Sequence, residues 1–308
     1  MAEDAYAVSR CDGAMLFLPY GVRETARKLG RGERAAAEEF RLRVGRLPAV
    51  LGPWGEKELP GEPVTKRDLE ALLEIATGAS AYSSAAQVRE GFVTVRGGYR
   101  IGLCGSVSMR DGAVAGFSAI SSADVRVSRE ARGAAVKPLA ELCPGGKFRS
   151  ALILSPPGGG KTTLLRDMVR LLSDGEAGRA GVRTALADER GEVAALCGGV
   201  PQFDVGKRTD VLDSCPKARA VMMLLRAMNP QVVALDEITA PEDAAAILSA
   251  RNCGVSLLAT AHADGPDDLA ARPLYRELLA AGVFERAVVI GRQDGERTYS
   301  VTELGGAG

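Results

Sequence analysis

A single histidine, His262, and six cysteines without one C-x-x-C spacing leave this 308-residue chain little material for a Cys/His zinc site. The thiols of Cys11, Cys104, Cys143, Cys197, Cys215 and Cys253 are scattered and read as ordinary side chains of a reducing compartment. A charge excess is missing too. Lysine plus arginine and aspartate plus glutamate both number 39, and no stretch interleaves aromatic with basic residues. That argues against a protein whose main task is to coat nucleic acid, and no nucleic-acid partner is expected. There is no run of about 18 apolar residues to span a bilayer. The first ten residues, MAEDAYAVSR, hold no basic segment leading into an apolar one. These two absences predict a cytoplasmic protein whose membrane association is peripheral.

What is present is globular composition, 46% hydrophobic and 25% charged, at a length that suits two domains. The stretch from Ala151 to Leu172 organises the rest. An apolar run leads into Ser155-Pro156-Pro157-Gly158-Gly159-Gly160, and Lys161-Thr162-Thr163 opens an amphipathic helix. A phosphate-cradling loop needs that order. Glycines let successive backbone N–H groups converge on an anion, and a helix N-terminus adds free donors and a favourable dipole. Lys161 then reaches the β- and γ-phosphates, and the Thr162 hydroxyl ligates Mg²⁺. The pattern G-x-x-x-x-G-K-[ST] is met except at its first position, where Ser155 stands for glycine. Residues 155–163 are therefore expected to bind ATP with Mg²⁺.

A second apolar run, Val232 to Leu235, ends in Asp236-Glu237. In a P-loop fold the first acid holds Mg²⁺ and the second orients and deprotonates the attacking water, which assigns Asp236 to the metal and Glu237 as general base. Ala185-Leu186-Ala187 ending in Asp188-Glu189-Arg190 repeats the design, its acids ordering metal-bound water or pairing with arginines. Leu257 to Ala259 leads to Thr260-Ala261-His262, which puts the only histidine at a strand end, suited to sensing the γ-phosphate or a neighbouring subunit. All these ends should share one cleft, because ligands bind outside the carboxyl ends of strands in open α/β sheets.

The rest of the chain frames this core. Nearly continuous apolar strands are expected at 151–154, 183–187, 232–235, 255–259 and 287–290, with helices at 161–172, 217–228, 241–253 and 266–281. That is an α/β class, with a RecA-like P-loop NTPase core and a mostly parallel sheet. Ahead of it lies a smaller α+β domain. Its marks are the apolar/basic alternation of Phe40 to Pro48, a helix from Lys66 capped by Thr65, and a hairpin turn at Gly97-Gly98. The expected boundaries are 1–135 for this domain, 136–147 for a linker and 148–308 for the ATPase. Arg41, Arg43, Arg46, Arg96, Arg100 and Arg126 form either a solvated strand face or a set aimed at the next subunit's nucleotide or a partner.

The run Gly199 to Lys217 resembles the stage III sporulation protein AA family. So do Asp188-Glu189-Arg190-Gly191-Glu192, Leu225 to Pro230, Ala261-His262, Arg41 to Arg46 and Gly97 to Gly102. The resemblance covers roughly residues 38–290, and that family is similar to the ATPases of type II and type IV secretion and pilus machines. It implies a hexameric motor on the mother-cell side of a developing endospore, energising a channel complex of inner-membrane proteins between mother cell and forespore. It likens Thr260-Ala261-His262 to a histidine box and Asp188-Glu189 to an aspartate box. Arg208, Arg219 and Arg226 fall where these enzymes keep arginines that reach nucleotide or the adjacent subunit. Ser155, Gly191 and Thr239-Ala240 depart from the family's pattern, the last pair standing where Gly-Arg is often seen. Other classes that share this core are a RecA-like nucleic-acid motor, an ATP-binding structural ring with little turnover, and a phosphotransferase.

Overall fold

The computed structural model describes residues 2–78, 81–176, 179–293 and 296–304. The chain divides into two compact units. One comprises Met1–Arg129 with Ala195–Gln202, and the other Glu130–Ala194 with Phe203–Gly308.

The first unit begins with helices α1 (Ala2–Met15), α2 (Tyr20–Ala26) and α3 (Arg31–Ala36), followed by strands β1 (Glu39–Arg43), β2 (Ala49–Gly52) and β3 (Gly55–Glu58). Helices α4 (Lys66–Thr77) and α5 (Ala81–Arg89) come next, then β4 (Phe92–Val95), β5 (Tyr99–Arg110) and β6 (Ala113–Arg126). The strands form one antiparallel sheet in the order β3-β2-β1-β6-β5-β4. Period-two alternation decides its faces. Phe40 and Leu42 are fully buried against Leu18, Leu69 and Leu72, while Arg41 and Arg43 between them face outward. The outward arginines are laced to acids: Arg41 to Glu39 at 2.7 Å, Arg126 to Asp124 at 3.2 Å, and Arg43 to Glu56. Arg100 lies over the Phe92 ring at 3.8 Å. In this unit Arg41, Arg43 and Arg126 of the basic strand face are thus charge-paired. Thr65 starts α4 by a reciprocal capping box, its Oγ1 accepting from Asp68 N at 3.2 Å and its own N donating to Asp68 Oδ2 at 2.8 Å. The strand expected from Phe40 to Pro48 stops at Arg43, because Gly45 takes a left-handed φ of 78° and turns the chain.

The second unit opens with α6 (Val136–Glu141), β7 (Ala151–Leu154), α7 (Lys161–Asp174) and β8 (Thr184–Asp188). The short hairpin β9 (Leu196–Cys197) and β10 (Val200–Pro201) then falls in the first unit, where Gly97 N donates to Gln202 Oε1 at 2.8 Å. Back in the second unit come β11 (Thr209–Asp213), α8 (Lys217–Met228), β12 (Val232–Leu235), α9 (Pro241–Asn252) and β13 (Ser256–Ala261). Helices α10 (Pro266–Ala271) and α11 (Pro273–Ala280) and strands β14 (Arg286–Gln293) and β15 (Glu296–Glu303) complete it. The seven strands run in the order β11-β8-β12-β13-β7-β14-β15, all parallel except the antiparallel edge strand β15. Both faces are covered. Leu152 and Leu154 pack on the α8–α9 side and Ala151 and Ile153 on the α6–α7 side, all fully buried. Each such leucine or isoleucine contributes about 1.5–3 kcal/mol of burial. The helix expected across 266–281 is two helices, because Pro273 cannot continue the first and Arg272 before it turns extended at φ −89°, ψ 126°.

The domain boundary also differs from expectation. It falls at Arg129/Glu130, and residues 136–147 are structured rather than a linker. Leu139 and Leu142 are fully buried in the core under α7, and Ala135 N donates to the buried Asp167 at 2.9 Å. Leu142→Ala is therefore expected to lower the free energy of unfolding in urea by about 2–5 kcal/mol. A linker residue would change it by no more than about 0.5 kcal/mol.

Candidate active site

Parallel register sets the site. Leu154 of β7 pairs with Ala261, Leu235 of β12 with Ala259, and Ala187 of β8 with Leu235, so the strands finish along one edge. Everything polar that follows them is gathered there.

The glycine-rich loop bridges β7 and α7. Gly158 and Gly160 take φ of 74° and 101°, which side chains with a Cβ rarely adopt, and Gly160 is the N-cap of α7. Ser155, 1% exposed, donates from Oγ to Pro156 O at 3.1 Å. A Cβ on Gly159 would sit 1.6 Å from that Oγ, so serine at the loop's first position would have to shift for any side chain to fit at its fifth. Lys161 is folded back over this loop. Its Nζ donates to Ser155 O at 2.8 Å and Pro156 O at 3.2 Å, and meets His262 Nδ1 at 2.7 Å. Burial holds the Lys161 ammonium below its usual pKa, with Glu237 and Asp236 pulling the other way.

The strand order β12-β13-β7 puts Thr260 between the loop and the acids. Asp236 accepts from two threonine hydroxyls, Thr162 Oγ1 at 2.9 Å and Thr260 Oγ1 at 2.6 Å. Thr260 Oγ1 in turn accepts from Glu237 N at 2.9 Å. Glu237 has a left-handed φ of 38°, a cost that persists only where neighbours impose it. Here Ile238 N donates to Thr260 O at 3.3 Å and Tyr275 Oη donates to Ile238 O at 2.7 Å, fixing the chain on the far side. The strained turn aims Glu237 back at the loop, where its Oε1 lies 3.2 Å from His262 Nε2. A charged Lys161 leaves Nδ1 only the acceptor role, so Nε2 carries the proton toward Glu237.

Not every expected residue serves in the expected way. Asp188 is 1% exposed and its carboxylate accepts from Glu192 N at 2.9 Å, Val193 N at 3.1 Å and Ala194 N at 2.8 Å. It lines a cleft with Asp236 and Glu237, but its oxygens are committed to holding the following loop. Burial raises its pKa, partly offset by those three backbone donors. Arg166 grips the same loop, donating to Val193 O at 2.5 Å and Glu192 O at 2.7 Å. Glu189 pairs with Lys217 at 3.0 Å. Lys217 and Arg166 are absent from the expected set. The signal for Lys217 was a lysine opening a helix, unfavourable against the dipole unless an acid is near.

Arg208 and Arg226 do not belong to this chain's own site. Arg208 Nη1 donates to Ser173 O at 3.0 Å, at the far end of α7 and thus about 20 Å from the phosphate loop at helical rise. Arg226 is exposed in the last turn of α8, on the helix that starts at Lys217 and leads away from the cleft. Arg219 is exposed on the same helix. Thr239 and Ala240, in place of Gly-Arg, present their N–H groups to Asp243 Oδ2 at 3.1 Å each and so start α9. Gly191 adopts a left-handed φ of 62° in the turn after Asp188.

Two outcomes test this geometry. Gly159→Ala is expected to lower stability by about 1–3 kcal/mol through overpacking, and adding Ser155→Gly to recover most of it, a coupling read by thermal or urea unfolding of all four variants. Asp188→Ala is expected to cost about 2–4 kcal/mol, since it strands backbone donors in the interior. A melting curve unchanged from wild type would contradict the structural role of Asp188.

Comparison with known proteins extends these observations. Residues 22–301 match the family model described as "Sporulation stage III, protein AA". Stage III sporulation protein AA of Bacillus subtilis (strain 168) is 36% identical over 283 residues, covering 92% of either chain. Among solved structures, the pilus retraction motor PilT with bound ADP aligns over 88% of this chain and 80% of its own, with a TM-score of 0.58 and 18% identity. The ATPase DotB of Legionella pneumophila aligns over 86% and 76%, with a TM-score of 0.53 and 14% identity. At those identities the likeness is one of fold, a RecA-like α/β core with a mostly parallel sheet. No helix among the described residues is long and apolar enough to cross a membrane. By its match over most of its length, the chain belongs to the sporulation stage III protein AA family.

Proposed function

We propose that this protein is a Mg²⁺-dependent ATPase that works as a homo-oligomer, a hexamer by analogy with secretion motors. It would drive a membrane complex during endospore formation from the mother-cell side, bound peripherally through inner-membrane partners. The observation that carries the reading is the meeting of phosphate loop and acid pair at one sheet edge, with Thr162 Oγ1 2.9 Å from Asp236 Oδ2.

The donor set fits a small hard cation. Thr162 and Asp236 offer a hydroxyl and a carboxylate oxygen, and Mg²⁺ typically takes one or two protein oxygens, completing its shell from phosphate and water. When bound with ATP it would neutralise charge on the phosphate oxygens. The protein's own residues supply the rest. The backbone N–H groups of residues 158–163 would cradle the phosphates at the α7 N-terminus. Lys161, now satisfied by neutral carbonyls and an imidazole, would exchange them for phosphate oxygens and gain charge-assisted bonds. Glu237 would orient a water and accept its proton. His262 links the two, since it touches both Lys161 and Glu237, so movement of the lysine onto a phosphate would release the imidazole and free the carboxylate. That is a way for the presence of phosphate to arm the base. An arginine arriving from a neighbouring copy would complete the charge balance, with Arg208, Arg219 and Arg226 and the arginines of the first unit as the available set.

The test is phosphate release from ATP and Mg²⁺ as a function of protein concentration, for wild type and Glu237→Gln. Specific activity is expected to rise with concentration. The variant should lose at least about 100-fold in kcat while binding nucleotide within a few-fold of wild type. A wild type that binds ATP yet releases no more phosphate than the variant at any concentration would remove hydrolysis, leaving a nucleotide-held ring.

A further inference from the structure

Strand β14 does not stop where β7 does. Val289 pairs with Leu154, the last residue of β7, and β14 then runs on to Gln293 before β15 returns from Glu296. At about 3.3 Å per residue, the rung that pairs Arg292 with Arg297 stands roughly 10 Å beyond the end of β7, alongside the phosphate loop. Two arginines occupy that overhang, Arg292 and Arg297, directly opposite each other in the antiparallel register. Like charges facing one another across a ladder are destabilising. Several arginines of this chain, Arg43 and Arg149 among them, are tied to carboxylates, whereas among the described residues neither Arg292 nor Arg297 forms an ion pair. One of them is also placed against the loop. The position that a Cβ would take on Gly160 lies 3.0 Å from both Nε and the guanidinium carbon of Arg297, and 3.2 Å from Nη2.

We propose that Arg297 binds the diphosphate portion of the nucleotide in cis, with Arg292 reinforcing the local positive potential. The inference rests on the nucleotide reading above and adds a residue from outside its expected set. Gly160 caps the helix whose free N–H groups face the phosphates, and a guanidinium beside that cap supplies a planar donor fork where the backbone supplies single donors. An arginine pair that has no ion pair among the described residues is accounted for by an anion that arrives later. The glycine at 160 then has a second reason to lack a side chain, because a Cβ there would crowd the guanidinium and push it aside by a few tenths of an ångström. Since the contact is made to phosphates present before and after cleavage, it serves binding more than the chemical step.

The experiment is calorimetric titration of the full chain with ADP and Mg²⁺, for wild type, Arg297→Ala, Arg297→Lys and Arg292→Ala, with a thermal melt of each. Arg297→Ala is expected to weaken ADP at least about tenfold. Arg297→Lys should recover part of that loss and Arg292→Ala should lose only a few-fold, all melting near wild type. In steady-state hydrolysis the Arg297→Ala change should appear in KM and leave kcat within about twofold. Equal ADP affinity in wild type and Arg297→Ala overturns the assignment while the nucleotide reading stands. A wild type that takes up no ADP overturns both. A loss of affinity that tracks a fallen melting temperature in Arg297→Ala, and that Arg297→Lys does not relieve, marks a structural role and overturns the proposal as well.

Discussion

The contact on which the site depends is the acceptance by Asp236 of two threonine hydroxyls from separate elements. Thr162 comes from the first turn of the helix behind the phosphate loop, and Thr260 from the central strand between that loop and the acids. A carboxylate at the end of an apolar strand is costly to desolvate, and these hydroxyls offset the cost while fixing its rotamer. Thr260 also accepts from Glu237 N, so one hydroxyl ties both acids to the same strand. Loop, acid pair and histidine are thereby held as one unit.

That unit is possible because the sheet beneath it is buried on both faces. Parallel strands covered by helices leave only their ends for polar groups, and the register lines those ends up. The strain at Glu237 follows from the same arrangement: the core pins Ile238 through Tyr275, and the left-handed turn between strand and core carries the Glu237 carboxylate toward His262. Support from behind is equally deliberate. Asp188 and Arg166 spend their polar atoms on the loop at 192–194, and Asp167 holds the segment entering α6. Residues that looked reactive by type are here the fastenings of the site.

Much of this was legible along the chain. The loop from Ser155 to Thr163, the acids after Val232 to Leu235 and the His262 strand end each follow an apolar run whose length and neighbours identify it, because local spacing is all that a phosphate loop or a strand end requires. The Thr65 capping box and the Gly97-Gly98 turn are local in the same sense. The misreadings share the opposite property. Residues 136–147 looked like a connector because Pro144-Gly145-Gly146 marks a turn, yet the burial of Leu139 and Leu142 depends on α7 packing over them. Arg208 lies close in sequence to motif residues but bonds the far end of α7, a distance set by helix length and not by sequence proximity.

By itself, then, the sequence determined the class of fold, the strand, glycine turn and helix of residues 151–172, and the family, since each rests on residues that act through their immediate neighbours. Only tertiary structure decided which polar side chains are free to act. Asp188 and Asp236 both follow apolar strands, but one is used up by backbone N–H groups and the other stands open to Thr162. Arg297, more than a hundred residues from Gly160 and in a strand outside the expected set, reaches the loop because β14 overruns β7. The physical reason is common to both: a side chain's availability is set by what the fold packs against it, and those partners come from distant parts of the chain.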